Sequence, residues 1–454
     1  MTDRRPASSA RLLSPLRDFL RTEIAGGIVL VAAAVAAVVW ANSPWSGGYE
    51  RLWQSEIAVR VAGHVLAFDL RHWLNDGVMV IFFLVVGLEI KREMTSGHLA
   101  GRRAAALPIA AAVGGMAVPA LVYLAIAGRE AAHGWGVAMA TDIALALGIV
   151  ALAGRRVPPS LRAFLLGLAV VDDIGAIVVI AVFYSTGFSL GWFAAAAGCF
   201  AVAVAVRRSG VQHASAFVVI GVVMWFSLHE AGIHPTIAGV AFGLLAPSVP
   251  HRTPEFIDIE ELTDLSSVEA ARESTTIARE SVSVVEWLQH LLHPWTSYVI
   301  VPLFALANAG VVVSGPGFRS ALGSVVFWGI AAGLVIGKPL GVFLATRVAL
   351  GAGIADPPAD VDRRRSLGAG WAAGIGFTVA LFIAELAFTD ESQRAEAKLA
   401  ILLGSVASAV IGLVLLRSGP SPTARAADAD GDDSAAVATG NPVACHGADS
   451  SLPE

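Results

Sequence analysis

Between Phe164 and Phe183 every residue is apolar or glycine except two adjacent carboxylates, Asp172 and Asp173. A stretch of this length is what a bilayer core requires of a helix, and it sets the pair near mid-depth. An ionised Asp there costs about 2.5–3.5 kcal/mol on insertion scales, so each carboxylate needs a partner or a purpose. Asp142, just after Thr141, lies deep in a second apolar run, and Lys338, within Gly337-Lys338-Pro339-Leu340-Gly341, lies deep in a third. The function of the chain is expected where these charges meet.

The rest of the sequence agrees with a membrane setting. Only 15% of the 454 residues are charged and 56% are hydrophobic, whereas a soluble domain carries about 25% charged residues. The net charge of −5 says little, because the acidic excess sits in one loop and the tail. Cys199 and Cys445 make neither a disulfide framework nor a metal motif, and no cofactor is expected.

Apolar runs long enough to cross, or nearly so, fall at 23–41, 73–89, 105–127, 133–153, 161–185 and 188–206, then at 215–229, 232–247, 296–314, 324–350, 367–388 and 396–416. The first is too long for a signal-peptide core and reads as an uncleaved span. With both termini cytoplasmic, 23 of the 31 Lys and Arg residues lie inside and 7 outside, Lys338 being within a span; this is the positive-inside bias. The expectation is an all-α polytopic membrane protein of about 12 transmembrane helices, occupying 1–417. A long cytoplasmic loop follows span 8 at 248–285, acidic in its first half, and a disordered tail is expected over 418–454. Partial alternation on either side of Ala62-Gly63 predicts an external β-hairpin over 56–70.

Span 4 is interrupted at Ala140-Thr141-Asp142 and span 11 at Ala373–Thr378. Breaks in corresponding spans of two halves point to a transporter site. Spans 3–5 and 10–12 (105–185 and 324–416) would then be the two repeats of a core, and 23–89 and 188–314 the interface spans, although the repeats share no letter-by-letter similarity.

Neighbours on a helix point about 100° apart, so Asp172 and Asp173 cannot act at one point. One can face a cavity while the other faces a partner; the bland alternative is a structural hydrogen bond for both. Lys338 calls for a buried Asp, since either charge alone would neutralise, and the pair could be a fixed salt bridge or one remade as ions exchange. Asp142 could offset the positive end of a half-helix or bind the cation itself. Asp76 reads as a helix cap, and Glu89, Arg92 and Glu93 as a solvated cluster at the end of span 2. His234 and His293, beside prolines, read as structural hydrogen-bonders, and Glu385 is expected to reach water.

Ala25-Gly26-Gly27, Asn75-Asp76-Gly77, the run Phe82 to Glu93, Ala140 to Gly148, Val171 to Ile177, His293-Pro294-Trp295, Pro302 to Gly310, Gly337 to Gly341 and Gly374-Ile375-Gly376-Phe377-Thr378 together resemble the NhaA-type sodium/proton antiporters of bacteria. The resemblance covers the chain except its long loop and tail. It implies two inverted three-helix repeats whose broken helices cross near the midplane, in the bacterial inner membrane. It also implies that Asp173 is the main sodium ligand and proton carrier, with Asp172 as partner of Lys338 and a second proton-linked site. Thr141 and Asp142 would tend the crossing helix ends. Glu89, Arg92, Glu93, Gln289 and His293 fall on the regulatory, pH-sensing positions, and the 56–70 hairpin on a homodimer contact. Ala138 stands where family members usually carry Pro, and Gln289 where a regulatory Glu is common.

The expected activity is electrogenic export of Na+ or Li+ for H+, rising toward alkaline pH, without enzymatic chemistry. An intramembrane aspartyl protease would need Gly-x-Gly-Asp, and Gly374-Ile375-Gly376-Phe377 lacks the Asp. A channel would need a filter that is not visible. The nearest rival is an organic-anion carrier of the same inverted-repeat fold, which would be expected to lack Asp172, Asp173 and Lys338 together.

Overall fold

The computed structural model describes residues 14–61, 64–97, 99–210, 213–248, 282–355 and 363–418. The expected loop at 248–285, apart from its ends, and the expected tail beyond Ser418 lie outside them.

The described chain is helical apart from one hairpin. After α1 (Ser14–Ala41) and the short α2 (Ser46–Trp53) come β1 (Glu56–Val61) and β2 (His64–Asp69), paired antiparallel from Glu56 opposite Asp69 to Val61 opposite His64. The hairpin is where the alternation placed it. Asp69 caps the next helix by accepting from the His72 amide at 2.7 Å. That helix, α3 (Leu70–Thr95), holds a π turn at Trp73–Val78. Asp69 thus takes the capping role expected of Asp76, which lies inside the π turn.

The first unit of interest is α4 (Arg102–Ala127), a 3-10 helix (Ala132–Met139), α5 (Ile143–Ala153) and α6 (Pro159–Phe183). Next come α7 (Leu190–Arg208), α8 (Ala214–Glu230) and α9 (Ile237–Leu245), then α10 (Val284–Trp295), which passes through a π turn (Thr296–Ile300) into α11 (Val301–Asn308), and α12 (Gly315–Gly323). The second unit repeats the plan of the first: α13 (Val325–Gly351), a broken pair α14 (Arg363–Ala373) and α15 (Phe377–Ala387) bent by 44°, and α16 (Glu391–Arg417).

Among the described residues, eight helices are long and apolar enough to cross a membrane, nine with the bent pair taken as one span. The expected spans 7 and 8 are represented by α8 and α9, each shorter than a full crossing, and span 9 by the continuous run of α10, the π turn and α11. Thr236 ends the turn before α9, and Pro294 and the π turn divide the ninth. Exposed valines recur every four residues on α16 (Val406, Val410, Val414) and on α8 (Val218, Val222). Such a stripe is one face of a helix, and an apolar outward face with buried charges inside is the arrangement a lipid solvent demands.

The two units pack on each other through α4 and α13. Gly337 and Gly341 lie where a Cβ would run into Pro119 and the carbonyl of Gly114, respectively, so these glycines let two backbones touch as small residues do in membranes. Around this core, α3 packs against α9 and α6, and α1 against α5 and α11. Tyr49 of α2 is fully buried and donates to the carbonyls of Leu306 and Ala307, both at 2.9 Å, at the end of α11. Burial pushes its phenol up to about 12, so it stays a donor across physiological pH.

Candidate functional site

Four helix ends meet where the two broken segments cross. The chain leaves the 3-10 helix at Met139, runs extended through Ala140 to Asp142 and re-enters helix at Ile143; α14 ends at Ala373 and α15 begins at Phe377. Ends of this kind carry unpaired amides with partial positive charge and unpaired carbonyls with partial negative charge, and lipid offers nothing to satisfy them.

Asp142 answers both positive ends. Its Oδ1 accepts from the Leu145 amide of its own helix at 3.0 Å. Its Oδ2 accepts from the Thr378 amide at 3.1 Å and from the Thr378 hydroxyl at 2.7 Å, on α15. One carboxylate therefore caps α5 and α15 together. The negative ends are met in turn: the Thr141 hydroxyl donates to the Ala373 carbonyl at 2.8 Å, and the Asp142 amide to the Ile375 carbonyl at 2.6 Å. Lys338 Nζ donates to the Met139 carbonyl. Of the two uses weighed for Asp142, the geometry is that of helix-end compensation.

A substitution at this residue is expected to be costly. Asp142→Ala removes two caps, and at about 1 kcal/mol for each the detergent-solubilised protein should lose about 2 kcal/mol. Thr378→Val, which deletes one hydroxyl, should lose about half as much. Thermal unfolding of both variants, with the larger drop in midpoint for Asp142→Ala, checks the pair.

Asp172 and Asp173 lie on α6, 1% and 6% exposed. Asp172 Oδ2 accepts from Lys338 Nζ at 2.6 Å, with both side chains sealed from solvent. The fully buried lysine expected to seek an Asp has found this one. Lys338 stands where the π turn Gly333–Gly337 gives way to regular helix, and a π turn re-aims the side chains that follow it. Asp173 points elsewhere, as the 100° offset requires. It lines a small cavity with Ala176 and Ile177 of α6, Phe82, Phe83 and Val86 of α3, and Val379 of α15. No hydrogen bond or ion pair to its carboxylate is made among the described residues. The cavity lies where α3, α6 and α15 meet.

Other expected residues fall outside this centre. Glu93 is 3% exposed, its carboxylate 3.9 Å from Arg92 Nη2, so the solvated cluster expected at the end of span 2 is partly an interior one: the chain turns back after Thr95 and packs Gly97 against the Glu93 side chain. Gln289 is buried on α10. Glu385, expected in water, is held by Lys398 at 2.6 Å and Arg394 at 3.5 Å, with only a tenth of its side chain exposed; α16 folds back over α15 and supplies both cations. Sequence reasoning placed Thr378 at the break of span 11 and Phe82, Phe83 and Val86 in a motif of the resemblance, but gave none of them a part in the site. Thr378 was signalled by its place directly after the Gly374–Gly376 break. The wall carried no chemical signal of its own, because three apolar residues on an apolar helix look like any others outside that motif.

The Na+/H+ antiporter 1 family pattern matches residues 17–416. A protein named Na(+)/H(+) antiporter NhaA 2 from Myxococcus xanthus is 46% identical over 419 residues, covering 89% of each chain. Another of that name from Sorangium cellulosum is 44% identical over 427 residues, covering 89% of this chain and 90% of its own. Na(+)/H(+) antiporter NhaA from Oleidesulfovibrio alaskensis is 44% identical over 430 residues, covering 91% and 95%.

Proposed function

The chain belongs to the Na+/H+ antiporter 1 family, transporters that exchange Na+ for H+, and from that premise we propose that it is an electrogenic exporter of Na+ or Li+ in which Asp173 carries both ions. The observation that bears most weight is the division of labour on α6. Asp172 is engaged by Lys338, whereas the carboxylate one residue on stands in a cavity and makes no ion pair among the described residues.

A carboxylate offers the same lone pairs to a proton and to Na+, so the two ions compete and one site serves both directions of exchange. With Asp173 ionised, Na+ enters from the cytoplasm and replaces water with carboxylate and backbone oxygens. With Asp173 protonated, the site is neutral and returns empty of Na+. Asp142 and Thr141 hold the crossing ends in place, so that the core of α4–α6 and α13–α16 rocks against the interface helices without losing the site's shape. The return of a second proton through Asp172 and Lys338 would make each cycle carry net charge, and the membrane potential then drives it by about 2.3 kcal/mol per charge per 100 mV. Exchange rises toward alkaline pH because protons no longer outcompete Na+. Glu89, Arg92, Glu93, Gln289 and His293, at the α3 end and on α10, are assigned the tuning of that response. The chain is placed in the bacterial inner membrane with both termini cytoplasmic, and no resident cofactor takes part.

Inside-out vesicles from cells lacking their own antiporters test the reading. Respiration builds a pH gradient, reported by an acridine dye, and NaCl, LiCl or KCl is then added at pH 7 and 8.5. Collapse by Na+ and Li+ but not K+, faster at pH 8.5, is the expected result. No cation-driven collapse at either pH overturns it and returns the organic-anion reading.

We also assign the hairpin to a homodimer contact. Its strands have no further sheet neighbour among the described residues, and Ile57 and Val59 are exposed. An open edge of this kind pairs readily with a second copy. Deleting residues 56–69 and bridging the gap with a short glycine-serine linker should shift the purified protein from dimer to monomer in light scattering.

A further inference from the structure

A second cluster of titratable groups lies at the base of the hairpin, apart from the transport site. His72 Nε2 is 3.2 Å from Asp76 Oδ2, and His229 Nδ1, at the end of α8, is 4.0 Å from the same oxygen. The three ligand atoms all lie within 4.8 Å of one another. His72 Nε2 is sealed from solvent and, despite its closeness to Asp76, lacks the alignment of a hydrogen bond. The rest of its ring stays partly exposed.

We propose that His72, Asp76 and His229 form a binding site for a divalent transition metal of the Zn2+ class, joining α3 to α8. The donor set, two imidazoles and one carboxylate, is the type Zn2+ prefers when a fourth position is left to water. Ligands around a tetrahedral Zn2+ stand about 3.3 Å apart, given bonds of about 2.0 Å. One of the three spacings already has that value, and small side-chain rotations bring in the other two. The surroundings supply what metal sites need beyond their ligands. His234 Nε2 lies 3.4 Å from the second oxygen of Asp76, and its Nδ1 is 2.8 Å from the Thr236 hydroxyl. A Thr236 hydroxyl donating to Nδ1 fixes the proton on Nε2, which then steadies the free carboxylate oxygen. Phe68 of β2 stacks on His72 at 4.4 Å and meets His229 edge-on at 5.2 Å, while Trp225 stacks on His229 at 6.0 Å and donates to the Asp76 carbonyl at 2.6 Å. Both imidazoles are thus oriented from the hairpin side. The π turn at Trp73–Val78 places Asp76 one turn from His72 and facing it.

The test uses the full chain in detergent, with any purification tag removed and metals stripped by EDTA and dialysis. Zn2+ is titrated in competition with a chromophoric chelator, and thermal unfolding is followed with and without Zn2+. The expected result is one Zn2+ per chain at micromolar or tighter affinity and an upward shift of the unfolding midpoint that EDTA reverses. In His72→Gln and in His229→Gln the affinity should fall at least tenfold and the shift should vanish, while Na+-driven exchange in metal-free vesicles is retained and certifies the fold. Failure of the wild type to bind stoichiometrically, or equal affinity in both variants, overturns the site.

Discussion

Asp173→Asn should reduce Na+-driven collapse of the pH gradient to the level of vesicles without the protein, at pH 7 and at pH 8.5 alike. The amide keeps the size of the carboxyl group and can rest in the same cavity of Phe82, Phe83, Val86, Ala176, Ile177 and Val379, so loss of function would not be loss of fold. It cannot be ionised, however, and cannot carry a proton. Both halves of the exchange fail together. Equal unfolding midpoints for the variant and the wild type would confirm that only the chemistry was removed. Substantial Na+ exchange in the variant would remove Asp173 from the centre of the mechanism.

The second large effect is expected at the buried ion pair, and its sign depends on how many partners are removed. Lys338→Met leaves Asp172 in a sealed site without its ammonium, and deprives the Met139 carbonyl of a donor. Breaking one side of such a pair costs about 3–5 kcal/mol, so the unfolding midpoint in detergent should fall sharply. The double variant Asp172→Asn with Lys338→Met removes both charges. It should regain most of the loss, because two uncharged groups of similar volume no longer ask for solvation. Transport separates the roles: a pair remade during the cycle predicts slow, electrically altered exchange in the stable double variant, whereas a fixed strut predicts nearly normal exchange. A double variant as unstable as Lys338→Met alone would mean that the Met139 carbonyl, not the carboxylate, is the partner that matters to stability.

The hairpin illustrates what a local pattern suffices to predict. Alternation over 56–70 is a period-2 signal, and a two-stranded ribbon needs only its own residues to satisfy it; the observed register runs from Glu56–Asp69 to Val61–His64. The apolar runs and the breaks at Thr141–Asp142 and Gly374–Gly376 were equally legible, because a bilayer permits few ways of spending twenty apolar residues and makes every polar interruption conspicuous. That Lys338 needs a buried Asp also followed from sequence, since a buried charge must find its opposite; that this Asp is Asp172 was implied there only by the family resemblance.

Other features had no local signature. Asp76 reads as a cap in sequence, because it follows Asn75 where span 2 begins, yet Asp69 does the capping and the π turn swings Asp76 toward His72, His229 and His234. Glu385 sits near a helix end and would reach water had α16 not laid Lys398 and Arg394 across it. That Asp142 caps its own helix and α15, across more than two hundred residues of sequence, could not be read from either segment alone. From its sequence this protein is bound to be a polytopic helical membrane protein with charges at mid-depth, because that conclusion rests on solvent and periodicity. Which helix ends meet, and hence which carboxylate is tied down and which faces the cavity, was decided only by tertiary packing, because it depends on the close approach of backbones far apart in the chain.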